Sequence, residues 1–184
     1  MARDGSDLCL NCGLCCRGVL HGHGVVRDDE VGRLRERGLD VFESNGRVSF
    51  GLPCPRLGAD LACEVYADRP DACARYRCGM LDEYLDGVID LEQSAARLAE
   101  VERLLANVRA VTDSAMTIAG VRQRWRRGLA DYLSGDPATA AEEQAAFLHI
   151  TALCRYLDRY ILSPLEQSIM RDLDHSLEPT PDPS

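Results

Sequence analysis

From residue 81 onward, apolar positions recur at helical spacing. Leu91, Leu98 and Leu105 repeat every seven residues with Val101 and Val108 between them, which predicts one amphipathic helix. Ile118, Val121, Trp125, Leu129 and Tyr132 mark a second helical face, and Ser134 and Gly135 end it. Phe147, Ile150, Cys154, Leu157 and Ile161 mark a third, opened by Asp136 as N-cap and Pro137 as first helical residue. Three such helices joined by short turns predict a three-helix bundle over residues 81–175. Helix is expected to run past Pro164 to about Leu173, and residues 176–184, which contain three prolines, read as a disordered tail.

Residues 1–80 follow no single period. A cysteine-rich loop is expected over Cys9 to Arg17, then an extended segment over Val19 to Val26. Asp28 and Asp29 open a short helix through Val31 and Leu34 that stops at Gly38. Arg47 to Leu52 and Leu61 to Tyr66 read as strands joined by a turn region over Pro53 to Gly58. A helical turn from Asp68 or Pro70 carries Cys73 toward Cys78. The fold class expected is α+β: a small, irregular, metal-stapled cysteine-rich domain (1–80) followed by the helical bundle. So few aliphatic residues make a thin core, and a domain of that size needs a staple.

Cysteine content makes the staple specific. Eight of the nine cysteines fall between Cys9 and Cys78, and only Cys154 lies beyond. The segment Met1 to Leu10 has no apolar signal core, and no apolar run reaches the roughly 18 residues of a membrane span. A cytoplasmic, non-membrane protein is therefore expected, and in a reducing compartment dense cysteines serve more often as metal ligands than as disulfides. A disulfide scaffold is the alternative. Net charge is −9, and residues 81–184 carry 10 Arg against 18 Asp plus Glu, which disfavours nucleic acid as the main partner. All 21 basic residues are Arg, so neither a lysine Schiff base nor a P-loop lysine exists here.

Cys9, Cys12, Cys15 and Cys16 form C-x2-C-x2-C-C, and Gly13 permits the backbone angles of a tight loop. The first three match the start of a ferredoxin cluster loop, whose remaining ligand is a cysteine followed by proline, and Cys54-Pro55 offers that dipeptide from a distance. Adjacent Cys15 and Cys16 are not expected to point at one metal in relaxed geometry, so one of them serves a second site or stays unligated. The eight thus divide into four and four, read here as Cys9, Cys12, Cys15 and Cys54 against Cys16, Cys63, Cys73 and Cys78. Zinc accepts four thiolates as well, but its usual two separated C-x2-C pairs are missing, so spacing favours an iron-sulfur cluster over zinc.

The whole pattern resembles the YkgJ-like, or CxxCxxCC, cysteine-cluster family, described as a zinc- or iron-chelating domain. The resemblance rests on C-x2-C-G-x-C-C, on Pro53-Cys54, on Cys63-Glu64-Val65-Tyr66 with Arg69-Pro70, and on Cys73-x4-Cys78. It covers roughly Cys9 to Gly79. It implies a metal centre held by Cys9, Cys12, Cys15, Cys16, Cys54, Cys63, Cys73 and Cys78. A flagellin lysine N-methylase carries a related cluster, so the resemblance also admits an iron-sulfur-dependent modification enzyme, although residues 81–184 do not look like that enzyme. Metal handling is a third class, and a helical half that engages a protein partner accompanies the first.

Other residues carry less. Arg17, Arg69, Arg75 and Arg77 could offset thiolate charge or be solvated surface groups. Tyr66 and Tyr76 read as core in preference to shields of the site, and His21 and His23 as packed or surface groups in preference to ligands. His149 and His175 have no assigned role. Cys154 reads as a buried free thiol. Arg122, Arg124, Trp125, Arg126 and Arg127 suggest a basic-aromatic patch, but Trp125 belongs to the apolar face and Arg127 can pair with Asp131, so a solvated helix face is preferred.

Overall fold

The structure is a computed structural model, and it describes residues 5–44, 46–112, 115–133 and 141–167. The expected cap at Asp136 and Pro137, the helix end at Ser134 and Gly135, the helix beyond residue 167, His175 and the tail lie outside the described residues.

Short helix α1, Ser6–Cys12, opens the chain and is closed by Gly13 at φ 63°, a left-handed angle that favours glycine. The expected cysteine loop is thus partly helical, because C-x2-C places Cys9 and Cys12 three apart, on one helical face. A three-stranded antiparallel sheet follows in the order β1 (His23–Val25), β3 (Arg47–Gly51), β2 (Val41–Ser44). Gly24 stands opposite Phe50, whose ring occupies the space where a Cβ would sit, and Phe50 is buried. Between β1 and β2 lie a 3-10 turn, Asp28–Glu30, and α2, Val31–Glu36. The Arg47 to Leu52 strand is present, whereas the strand expected over Leu61 to Tyr66 is not. Leu61 takes a left-handed φ of 66°, and the Asp60 carboxylate accepts the Ala62 N–H at 3.0 Å, so the chain turns there. Only an isolated bridge, Leu57 to Cys63, remains of pairing in that stretch.

A second 3-10 turn, Tyr66–Asp68, leads to α3 (Asp71–Arg75) and α4 (Gly79–Leu85). The long helices are α5 (Leu91–Val111), α6 (Ile118–Leu133) and α7 (Ala141–Tyr160). The Asp90 carboxylate accepts the Gln93 N–H while the Gln93 side chain accepts the Asp90 N–H, a reciprocal cap that starts α5. Both α5 and α6 pack against α7. Val101, Leu105 and Val108 are buried as their spacing predicts, but Leu91, next to the cap, is 49% exposed. The class is α+β.

Two apolar clusters form. The smaller joins Val26, Leu34, Leu39, Phe50 and Val65 around the sheet. The larger runs through the sequence boundary at residue 80: Leu8, Leu14, Val19 and Leu20 pack with Met80, Leu81 and Tyr84 of α4 and with Val101, Leu105, Leu153 and Leu157 of the long helices. Backbone contacts follow the same seam. Ala119 N donates to the Gly18 carbonyl at 3.0 Å, and Met80 N donates to the Ile161 carbonyl at 3.2 Å. A Cβ on Gly79 would lie 2.5 Å from the Leu162 carbonyl oxygen, so only glycine permits that approach.

Arg122 is the buried polar anchor of the seam. It is 2% exposed, and its Nη1 donates to the carbonyls of Val19 and Leu20, each at 2.9 Å. Replacing it with methionine keeps most of the volume but leaves two buried acceptors without a donor. Arg122→Met is expected to lower stability by about 3 kcal/mol, read from the urea midpoint and slope. A loss under about 0.5 kcal/mol would mean that the carbonyls find other donors.

Candidate metal centre

All eight N-terminal cysteines line one largely apolar cavity of about 520 Å³. Each arrives from a different local structure. Cys9 and Cys12 project from α1, and Cys15 and Cys16 sit in the turn after it. Cys54 follows the cis Leu52–Pro53 peptide, and its N–H donates to the Cys16 carbonyl at 2.7 Å. Cys63 lies in the bridge to Leu57, whose own N–H donates to the Cys54 carbonyl at 3.2 Å. Cys73 belongs to α3, and Cys78 caps α4, where its Sγ accepts the Leu81 N–H at 3.4 Å. None of the nine cysteines is in a disulfide. Cys154 is buried in α7 and is not part of the cavity wall.

Burial and the neighbouring thiols push these groups toward the protonated form. Desolvation, with Cys78 and Cys9 nearby, raises Cys12 to about 12. Desolvation, Cys54, Cys63 and Cys9 raise Cys16 to about 11. Desolvation, with the thiols of Cys16, Cys54 and Cys63 nearby, raises Cys73 to about 12. Cys78 is raised to about 11 by desolvation, with Cys9 adding to it. Cys15 is raised further by desolvation, then by Cys78 and Cys12, and Cys54 rises through desolvation and Cys63. A metal cation held by these residues would displace thiol protons and offset the repulsion among the thiolates.

As placed, no three His, Cys, Asp or Glu side chains among the described residues are arranged to hold a metal ion. The thiols surround the cavity instead of converging. The donor set itself suits zinc or iron, because both accept sulfur-only ligation.

The basic residues near the cysteines divide by what they touch. Arg17 forms a two-point contact with Glu102 of α5, and it still lowers the Cys12 pKa. Arg69 stacks 3.8 Å over the Tyr66 ring and favours the Cys73 thiolate. Arg75 pairs with Asp71 at 3.5 Å, and Arg77 with Asp82 at 2.6 Å. Tyr66 also donates its hydroxyl to Ser6 at 3.1 Å, which ties the Tyr-Arg-Pro segment to α1. His21 and His23 both reach the cavity wall, and the His21 ring meets Tyr76 edge-on at 5.0 Å. In α6, Arg122 and Trp125 are buried, with Trp125 Nε1 donating to Thr151 at 2.9 Å. Two members of the basic-aromatic patch are thus structural, and the side chain of Arg127 lies outside the described residues.

Sequence reasoning missed two carboxylates. Buried Glu30 accepts the Asp71 N–H at 2.9 Å and Arg33 Nη2 at 2.9 Å, fixing the start of the helix that carries Cys73. Glu166 accepts the Tyr76 hydroxyl at 2.6 Å, stands 3.3 Å from His21 Nε2, and accepts the Ser163 N–H at 2.8 Å. Its signal was legible: Ser163-Pro164-Leu165-Glu166 is a capping box with proline at the first helical position, and residues 164–167 are helical.

The model of the CxxCxxCC family, described as "Putative zinc- or iron-chelating domain", matches residues 8–93. That segment belongs to the family, and all eight cavity cysteines fall within it. No curated protein and no solved structure matches the chain. Among the described residues, no helix is long and apolar enough to cross a membrane.

Glu166 gives this site a pH signature. Burial works against its charge, but the His21 ring 3.3 Å away and hydrogen bonds from Tyr76 and Ser163 outweigh that and hold its carboxyl at about 2 instead of 4.5. A depressed carboxylate contributes stability that is present above its unfolded value and lost as pH falls through its folded value. The stability difference between wild type and Glu166→Gln is therefore expected to be full above pH 4.5 and to disappear by about pH 2. A difference that is constant over that window in denaturant titrations would refute the assignment.

Proposed function

We propose that this protein is a thiolate metal-binding protein, with Cys9, Cys12, Cys15, Cys16, Cys54, Cys63, Cys73 and Cys78 as ligands and an iron-sulfur centre in preference to zinc. The observation that carries this reading is the single cavity faced by all eight cysteines. Support for iron-sulfur comes from the C-x2-C-x2-C spacing of Cys9, Cys12 and Cys15, and from a cavity of about 520 Å³ with space for inorganic sulfide beside metal ions. Such a centre supplies one-electron chemistry or, as zinc, a structural cross-link. Either would staple residues 1–80, whose own apolar cluster around the sheet is small, so metal binding and folding are linked. In this reading residues 81–175, as a three-helix bundle, offer a surface to a protein partner, and the protein works in the cytoplasm.

An alternative class, metal handling, draws support from Cys9 and Cys73, which are exposed as well as part of the cavity wall. Exchangeable metal with an unchanged fold would favour it. An open iron position that takes a small molecule would favour a modification enzyme.

Protein purified without oxygen is expected to be brown and to contain iron with acid-labile sulfide. Colourless protein with about two zinc ions per chain would replace iron-sulfur by zinc and keep the metal centre. Protein that is folded in reducing buffer yet free of metal would overturn the reading. Cys12→Ser and Cys73→Ser should each lower both metal content and the thermal midpoint, measured by elemental analysis and circular dichroism; full retention of both quantities would count against ligation.

A further inference from the structure

We infer that on metal binding the eight cysteines draw together into two separate four-thiolate sites, Cys9, Cys12, Cys15 and Cys78 in one and Cys16, Cys54, Cys63 and Cys73 in the other. This rests on the metal-centre reading above and exchanges Cys54 and Cys78 relative to the division that spacing suggests.

Backbone geometry assembles the second set. The Cys54 N–H is bonded to the Cys16 carbonyl at 2.7 Å, which fixes these two residues side by side although 38 positions separate them in the chain. The loop that Cys54 begins returns through the Leu57–Cys63 bridge, so Cys63 comes back to the same place. The fourth member, Cys73, sits on α3, which packs against β1 and is pinned at its start by Glu30. All of this lies beside the sheet, and Cys63 packs on the sheet's own apolar cluster.

The first set lies against the helices. Cys12, Cys15 and Cys78 all pack on the larger cluster, which contains Leu14, Met80, Leu81 and Ile161. Cys9 shares a face of α1 with Cys12.

The partition also answers the adjacent pair. Side chains of Cys15 and Cys16 go to different sites, so neither tetrahedral set has to bend a Cys-Cys dipeptide around one ion. Each set holds one exposed cysteine, Cys9 in the first and Cys73 in the second, which gives each site its own side for metal entry.

The test uses purified, metal-loaded full-length protein and iodoacetamide labelling mapped by mass spectrometry. Partial removal of metal by a limiting chelator should make thiols reactive in sets of four, with Cys78 labelled together with Cys9, Cys12 and Cys15. In Cys78→Ser the remaining metal should protect Cys16, Cys54, Cys63 and Cys73, and in Cys54→Ser it should protect Cys9, Cys12, Cys15 and Cys78, each variant keeping about half the wild-type metal. Cys54 labelled together with Cys9, Cys12 and Cys15 overturns the partition. So does simultaneous labelling of all eight, which means one shared centre. Wild-type protein that takes up neither iron nor zinc defeats the metal reading itself. The chelation experiment on wild type decides the matter even where a serine variant fails to fold.

Discussion

A loop can be buried only if its carbonyl groups find donors, and the turn that follows α1 meets this demand with residues a hundred positions away. Gly18, Val19 and Leu20 expose their carbonyls toward α6, where Ala119 N–H and the Arg122 guanidinium accept the task. That arrangement lets Leu14, Val19 and Leu20 enter the helical core, which in turn sets the floor on which Cys12, Cys15 and Cys78 rest. Without the helices, the first four cysteines would belong to an unsupported loop. The cysteine segment and the helices are thus joined by a shared core as well as by chain connectivity.

On the far side of the cavity the constraints are polar. Glu30 holds the start of α3, Tyr66 reaches Ser6 of α1, and Arg69 covers the Tyr66 ring. These contacts bring Cys63 and Cys73 toward the α1 turn from the opposite direction. Tyr76, between Cys73 and Cys78 in the chain, bonds Glu166 beyond α7, so the last stretch of the cysteine segment is tied to the helices too. Each contact is modest alone, and together they leave the backbone few ways to move a thiol away from the cavity.

How much of this the sequence discloses depends on the range of the forces involved. The stripe of Val101, Leu105 and Val108 is local periodicity, and it is buried as its spacing predicts. The cysteine pattern and the Tyr66, Arg69, Pro70 signature identify the family segment, because ordered spacing is itself sequence information. Strand β2 was missed, although the sequence Asn45-Gly46 between it and Arg47 is a hairpin signal, since four residues are too few to show alternation. The strand expected at Leu61 failed because a left-handed residue and an Asp60 side-chain bond override apolar alternation. Neighbour relations among the thiols were least legible. They follow from the Cys16–Cys54 backbone bond and from the packing of Cys78 on the helical core, both set by distant contacts.

The approach of Gly79 to Leu162 bears on the order in which the protein matures on the ribosome. Synthesis runs from the amino end, and the first elements emerge before the last are made. All eight cavity cysteines have been translated by residue 78, yet the backbone that closes against Gly79 is supplied by residues 161 and 162. For about 80 further codons the nascent thiols lack Ile161, the part of the cavity wall that the later chain supplies. Residues 5–81 supply the rest of the wall, so the last contact to form around the thiols is the one that joins the cysteine segment to the end of α7.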